Sequence, residues 1–151
     1  MIPLNLPSFP IKTVSANDHT EVYDPLRRRF VRLTPEEWVR QHFVNFLVSH
    51  RHYPAALMAN EVTLHVGQAT RRCDSVLYQS CGARPRLIVE YKAPHIKITQ
   101  AAFCQICAYN SVLRADYLIV SNGLTHFCCR VDHDDSRIDY LSDIPYYEDL
   151  L

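Results

Sequence analysis

The chain has 151 residues, 48 % of them hydrophobic, which is material for one compact domain with a real core and little room for a second. Its 16 Lys and Arg balance 16 Asp and Glu, so no global field draws it to nucleic acid or to an anionic membrane, and any such binding has to be local. Six cysteines, the lack of a signal-peptide pattern in Met1-Ile2-Pro3-Leu4-Asn5-Leu6-Pro7, and apolar runs too short to cross a bilayer lead us to expect a reducing, cytoplasmic setting and no membrane role.

Residues 1 to 33 are rich in proline and polar residues and read as an N-terminal appendage, with two short strands around the Asp24-Pro25 turn. Thr34-Pro35-Glu36-Glu37 then opens a helix: Thr34 as N-cap, Pro35 as first helical residue, Glu37 as the reciprocal capping-box partner. Its apolar side is Trp38, Val39, Phe43, Phe46 and Leu47, and the spacing ends it near Ser49 to His52, before Pro54. Residues 57 to 66 alternate as a half-buried strand, and Gly67 turns the chain toward Arg72-Cys73-Asp74-Ser75-Val76-Leu77-Tyr78, a second strand. A loop around Gly82 and Pro85 leads to a third, Leu87-Ile88-Val89-Glu90-Tyr91-Lys92.

Ala93-Pro94 breaks the pairing, and Thr99 caps a helix to about Leu113, with Ala102, Ile106, Tyr109 and Leu113 on one stripe and Gln105 beside it. The strand Tyr117-Leu118-Ile119-Val120 follows, and Asn122-Gly123 turns it into a returning arm, Thr125 to Val131. Residues 132 to 151 form an acidic extension with enough apolar content to dock but no regular element of its own. The order of a helix, three strands, a helix and two strands predicts an α/β fold, a mixed central sheet with helices on its faces, in one domain whose core spans 34 to 131.

Chemistry concentrates on the central strands. Strand side chains alternate faces, so Glu90 and Lys92 project from the same side, and a hairpin brings Asp74 to them. Asp74 and Glu90, with the Tyr91 backbone carbonyl between the two polar side chains of its strand, suit a hard divalent cation, and Lys92 suits a water beside it. A lysine two residues from a glutamate is also a common exposed ion pair, but here both terminate an apolar strand, where burial is costly unless the charges meet a metal or each other. Two carboxylates in that arrangement should repel without metal, raising one of their pKa values. Charge is also segregated along the chain. Arg27-Arg28-Arg29 with Arg32, Arg71-Arg72, and Arg84 with Arg86 are basic, and the residues from Asp132 to Asp149 are acidic, which suits either solvated loops or a phosphate-contacting surface. Cys104-x-x-Cys107 with Cys128-Cys129 has metal-ligand residue types, but Cys104 and Cys107 fall on a helix stripe and read as free buried cysteines.

This order, with Glu37, Asp74, Glu90-Tyr91-Lys92 and Gln105 in it, resembles the restriction-endonuclease-like, or PD-(D/E)xK, nuclease superfamily. Within it the resemblance is to the N-terminal nuclease domain of type I restriction enzyme R subunits. The matching stretches are Tyr23-Asp24-Pro25-Leu26-Arg27, Leu33 to Gln41, Arg72-Cys73-Asp74, Val89-Glu90-Tyr91-Lys92-Ala93-Pro94, Gln105 to Asn110 and Ser121-Asn122-Gly123. The resemblance implies a restriction-endonuclease-like αβββαβ core with an extra C-terminal hairpin strand, and Mg²⁺-dependent hydrolysis of DNA phosphodiesters, with Mn²⁺ as a substitute. It implies Asp74 and Glu90 as metal ligands, Lys92 positioning the attacking water, Glu37 approaching the metal directly or through water, and Gln105 and Tyr109 near the active site. Arg27, Arg28, Arg29 and Arg72 join Tyr109 as expected DNA contacts. Cys73 stands where the superfamily name has a proline, which is not a ligand. The motor domains of an R subunit have no counterpart in these 151 residues, so a homodimer or a separate motor or specificity subunit is the expected partner. The alternative is a non-catalytic nucleic-acid or protein binding module that keeps the nuclease fold.

Overall fold

The computed structural model describes residues 1–82 and 84–150; Ala83, inside the loop expected around Gly82 and Pro85, and Leu151 lie outside the described residues. The architecture is α/β, with a mixed six-stranded sheet in the order β4-β5-β6-β7-β8-β9 and a separate three-stranded sheet formed by β1, β2 and β3. The elements are β1 (Thr13–Ser15), β2 (Thr20–Asp24), β3 (Arg29–Arg32), α1 (Pro35–His50), β4 (Met58–Val66), β5 (Ala69–Tyr78), β6 (Pro85–Tyr91), α2 (Gln100–Asn110), β7 (Tyr117–Ser121), β8 (His126–Asp132) and β9 (Arg137–Leu141). No described helix is long and apolar enough to cross a membrane.

The pairing follows the connections. Short turns give antiparallel β4–β5, β5–β6, β7–β8 and β8–β9 pairs, whereas the passage through α2 makes β6 and β7 parallel, with Leu87 opposite Tyr117 and Glu90 opposite Val120. The Asn122 side chain shapes the β7–β8 turn, its Oδ1 accepting from the Leu124 and Thr125 N–H groups at 2.9 and 2.8 Å, and Gly123 takes φ +83°.

Because successive strand residues face opposite ways, β6 and β7 bury both sides, which is why they read as continuous apolar runs. Leu87, Val89, Tyr91, Tyr117 and Ile119 meet Val39, Phe43 and Leu47 of α1 in one core. Ile88, Leu118 and Val120 meet Phe103 and Cys107 of α2 in the other.

Three local expectations change. The capping box is half made: Thr34 Oγ1 accepts from Glu37 N at 3.1 Å, but the Glu37 carboxylate turns away to arginines, where a charged donor outcompetes a backbone N–H. The buried stripe of α2 is Phe103, Cys107 and Asn110, while Tyr109 is 60 % exposed. The C-terminal extension adds β9 to the sheet past residue 131 and then docks against the end of α1, through Arg51 Nε donating to the Ile144 carbonyl at 2.9 Å and Tyr53 OH donating to that of Pro145 at 3.1 Å. The acidic tail is thus at the opposite end of α1 from Glu37.

Candidate active site at the parting of two strands

The β5–β6 ladder runs from Tyr78 opposite Pro85 to Ser75 opposite Val89. Where it ends, the Asp74 carboxylate takes the next position: its Oδ2 accepts the Tyr91 backbone N–H at 2.8 Å. Glu90 stands beside it, and Asp74 and Glu90 line one small cavity together with Arg72 and Tyr109. Lys92 Nζ reaches Glu90 Oε1 at 3.2 Å, while its backbone N–H holds the Ser121 carbonyl at 2.9 Å and fixes it at the carboxyl end of the parallel β6–β7 pair. The side chains of Asp74, Glu90 and Lys92 are 27, 28 and 36 % exposed, so each is reachable from solvent.

Behind them lies an ion network that the sequence does not announce. Arg27 pairs with Asp24 and Glu37; Arg40 pairs with Glu37 at 2.6 Å, with Glu61, and with Asp74 at 3.4 Å; Arg72 pairs with Glu61. Gln41 Nε2 adds a 2.9 Å bond to Glu37, and the Arg40 guanidinium lies 5.7 Å from the centre of the Tyr91 ring. Below this layer, Tyr91 OH donates to Ser75 Oγ, Ser75 to Asn60 Oδ1, and Asn60 Nδ2 to the fully buried Asp24. Glu61 reaches Arg40 and Arg72 from a backbone at φ +53°, between the Asn60–Ser75 and Val62–Cys73 pairs, a conformation costing a non-glycine residue on the order of 1 kcal/mol.

Four carboxylates, those of Asp24, Glu37, Glu61 and Asp74, thus face three guanidiniums, and Asp74 has the longest contact. Its electrostatics match. Burial is the main influence and pushes the Asp74 carboxyl above the usual range; Glu90 and Glu61 push the same way, against the Tyr91 N–H and Arg40. The expected upward shift is present, with burial ahead of repulsion by Glu90 as its cause. Glu61 goes the other way: burial opposes its ionisation, but Arg40 and Arg72 hold it below the ordinary value.

The structure brings Asp74, Glu90, Lys92, Arg72 and Tyr109 together. It does not bring Glu37 to them, because the Arg40 guanidinium stands between Glu37 and Asp74. Arg27 is spent on Asp24 and Glu37 and only 13 % exposed, so it is no free phosphate contact, whereas Arg28 and Arg29 are exposed. Gln105 is exposed on α2. Arg71, rather than Arg72, stacks on Tyr109, its guanidinium 4.1 Å from the ring centre. All six cysteines are free; Cys107 and Cys129 meet at 3.4 Å, and among the described residues no three His, Cys, Asp or Glu side chains group to hold a metal ion.

A family model described as Type I restriction enzyme R protein N terminus matches residues 35–145, most of the chain. The chain belongs to this family. No curated protein and no solved structure matches it. The R protein N-terminal match contains Glu37, Arg40, Glu61, Asp74, Glu90, Lys92 and Gln105, but begins after Asp24 and Arg27, so part of what holds Glu37 comes from outside the matched region. As a donor set, Asp74 and Glu90 fit a hard dication: two accessible carboxylate side chains share a cavity, and burial penalises the charge of one of them. Glu37 does not fit as a third ligand, since a cation would have to displace two arginines.

Proposed function

We propose that the chain is a metal-dependent DNA endonuclease with a PD-(D/E)xK-type centre, in which Asp74 and Glu90, with the Tyr91 backbone carbonyl, hold Mg²⁺ or Mn²⁺. The observation that carries this reading is the convergence of Asp74, Glu90 and Lys92 where β5 and β6 part. Membership of the R protein N-terminal family supports a restriction-related nuclease, with DNA and other restriction subunits as partners.

When bound, the cation would neutralise phosphate charge and polarise a phosphorus–oxygen bond. Lys92, held by Glu90, places an ammonium where it can orient an incoming water and stabilise negative charge developing on it. The Tyr91 N–H fixes the orientation of Asp74, which leaves its other oxygen between Arg40 and the cavity. Glu37 serves this arrangement through Arg40, as a positioning residue rather than a ligand. Arg28, Arg29, Arg72 and Tyr109, all exposed, are the side chains assigned to DNA, and Gln105, exposed on α2, is kept as a catalytic candidate.

A second reading, a binding module that keeps the fold without turnover, draws on the Arg40 guanidinium already lying against Asp74. Glu90→Ala separates the two in paired cleavage and DNA-binding assays. A nuclease loses cleavage by at least a hundredfold and keeps its DNA affinity; a wild type that binds DNA and Mn²⁺ but never cuts would favour the second reading.

A further inference from the structure

At the opposite end of β6 and β7 from Glu90 and Lys92 lies a polar cavity of about 430 Å³, lined among others by Arg84, Arg114, Asp116, Arg130, Asp132 and His133. Arg86 and Glu90 are four positions apart on β6, so the two sites are about 13 Å apart along the sheet. The cavity floor is pinned by backbone bonds, Asp116 N–H to the Arg86 carbonyl at 3.0 Å and Val131 N–H to that of Asp116 at 2.8 Å.

Three features set this cavity apart from a solvated charged surface. Its arginines come from three places, the loop before β6, the segment after α2, and β8, and among the described residues none of the three contacts a carboxylate within 4 Å, although Arg130 is near enough to Asp132 to favour its charged form. Arg114 is held there by a left-handed backbone, φ +57° and ψ +30°, where glycine is the relaxed choice. The three carboxylates of the lining differ in placement: Asp132 is committed to its own turn, accepting from Asp134 N and Asp135 N at 3.1 and 3.2 Å, and Asp134 is exposed to solvent, whereas the half-buried Asp116 carboxylate accepts no hydrogen bond from a described residue. His133 braces the wall, its Nε2 donating to the Ala115 carbonyl at 3.0 Å.

Guanidiniums are matched to phosphate oxygens, and an unengaged carboxylate to paired hydroxyl or amino donors. A plain phosphate would use the arginines and be repelled by Asp116; a nucleoside phosphate would use both, and the volume suits a ligand of that size. We propose that this cavity binds a nucleoside phosphate, with Arg84, Arg114 and Arg130 on the phosphate and Asp116 on a sugar hydroxyl or base amino group. The site is independent of the nuclease reading.

The test is calorimetric titration of the full chain, in EDTA so that no cation at Asp74 recruits phosphate, with ATP, adenosine, inorganic phosphate and a 5′-phosphorylated oligonucleotide as separate probes. The expected result is saturable ATP binding, at least tenfold tighter than phosphate or adenosine, weakened tenfold or more by Arg130→Ala and by Asp116→Asn and unchanged by Lys92→Ala. Arg84→Ala, an exposed change outside the regular elements, gives a second reading where another variant fails to fold. No saturable ATP binding, or equal affinity for ATP and inorganic phosphate, would overturn the proposal. Binding confined to the oligonucleotide would also overturn it, and would assign the arginines to a DNA backbone.

Discussion

Arg40 shows what a single residue can hold. It is 4 % exposed and faces Glu37, Glu61 and Asp74, so its loss leaves carboxylates in a poorly solvated place without a counter-charge. Arg40→Ala should cost about 3–5 kcal/mol in urea unfolding. Arg72→Ala, removing a side chain 77 % exposed that also pairs with Glu61, should cost no more than about 1 kcal/mol. Equal costs would refute the ranking. Two imidazoles make the pH prediction: burial lowers the pKa of His42, against a bond to the Trp38 carbonyl, and of His126, against the Asn5 carbonyl. Each protonates less readily when folded than when unfolded, so their contribution is complete above the ordinary value of 6.5 and is lost as pH falls through the depressed folded values. Thermal unfolding across that window should show the decline, and His42→Gln should shrink it; an unaltered acid limb would contradict it. Asp74, Glu90 and Lys92 are legible in the sequence because one strand end and one hairpin set their neighbours. Arg40, Glu61 and Asp24 are not, because beyond the pairs Arg40–Glu37 and Asp24–Arg27, three residues apart, the network is closed by partners distant in sequence: Arg40 and Glu61 are 21 residues apart, and Asp24 and Asn60 are 36 apart.

At the level of elements, local chemistry decides beginnings and ends. Both helices start on a threonine whose Oγ1 accepts from the third residue on, at 3.1 Å in each case. Thr34→Ala and Thr99→Ala should each lose about 1 kcal/mol, measured by urea unfolding; a Thr→Ser change should recover most of it. Helix α1, strands β4 to β8 and the turns at Gly67 and Asn122-Gly123 follow from periodicity and turn residues. The α2 face does not, since Ala102, Phe103, Ile106 and Cys107 make more than one apolar stripe available and only the sheet chooses between them. Strand β9 is a short edge strand, its residues exposed or half-buried, and β1 is three exposed residues; neither has the alternating burial that marks a strand in sequence.

For the whole molecule, the site exists because the sheet is covered on both faces up to the point where β5 leaves β6. Helix α1 brings Glu37 and Arg40 from one side, α2 brings Tyr109 from the other, and the N-terminal sheet locks in through Asp24, Asn60, Ser75 and Tyr91. The N-terminal arm closes over the β7–β8 turn, with Asn5 N–H bonded to the Gly123 carbonyl at 2.8 Å and Leu4 against Gly123, where an added Cβ would come within 2.7 Å of the leucine. Gly123→Ala should therefore destabilise by at least about 1 kcal/mol, since it meets both the positive φ and the arm; an unchanged melting temperature would count against the docked arm. The α/β class and the mixed sheet follow from element order, whereas the ion network that surrounds the carboxylates depends on three-dimensional closure. The proposed function of this site is DNA cleavage by Asp74, Glu90 and Lys92 with a divalent cation. It is tested most directly by incubating the protein with linear, supercoiled and single-stranded DNA in Mg²⁺ or Mn²⁺, beside EDTA and Lys92→Ala. Cleavage abolished by both controls is the predicted result, and cleavage that survives Lys92→Ala, or none on any substrate, would contradict it.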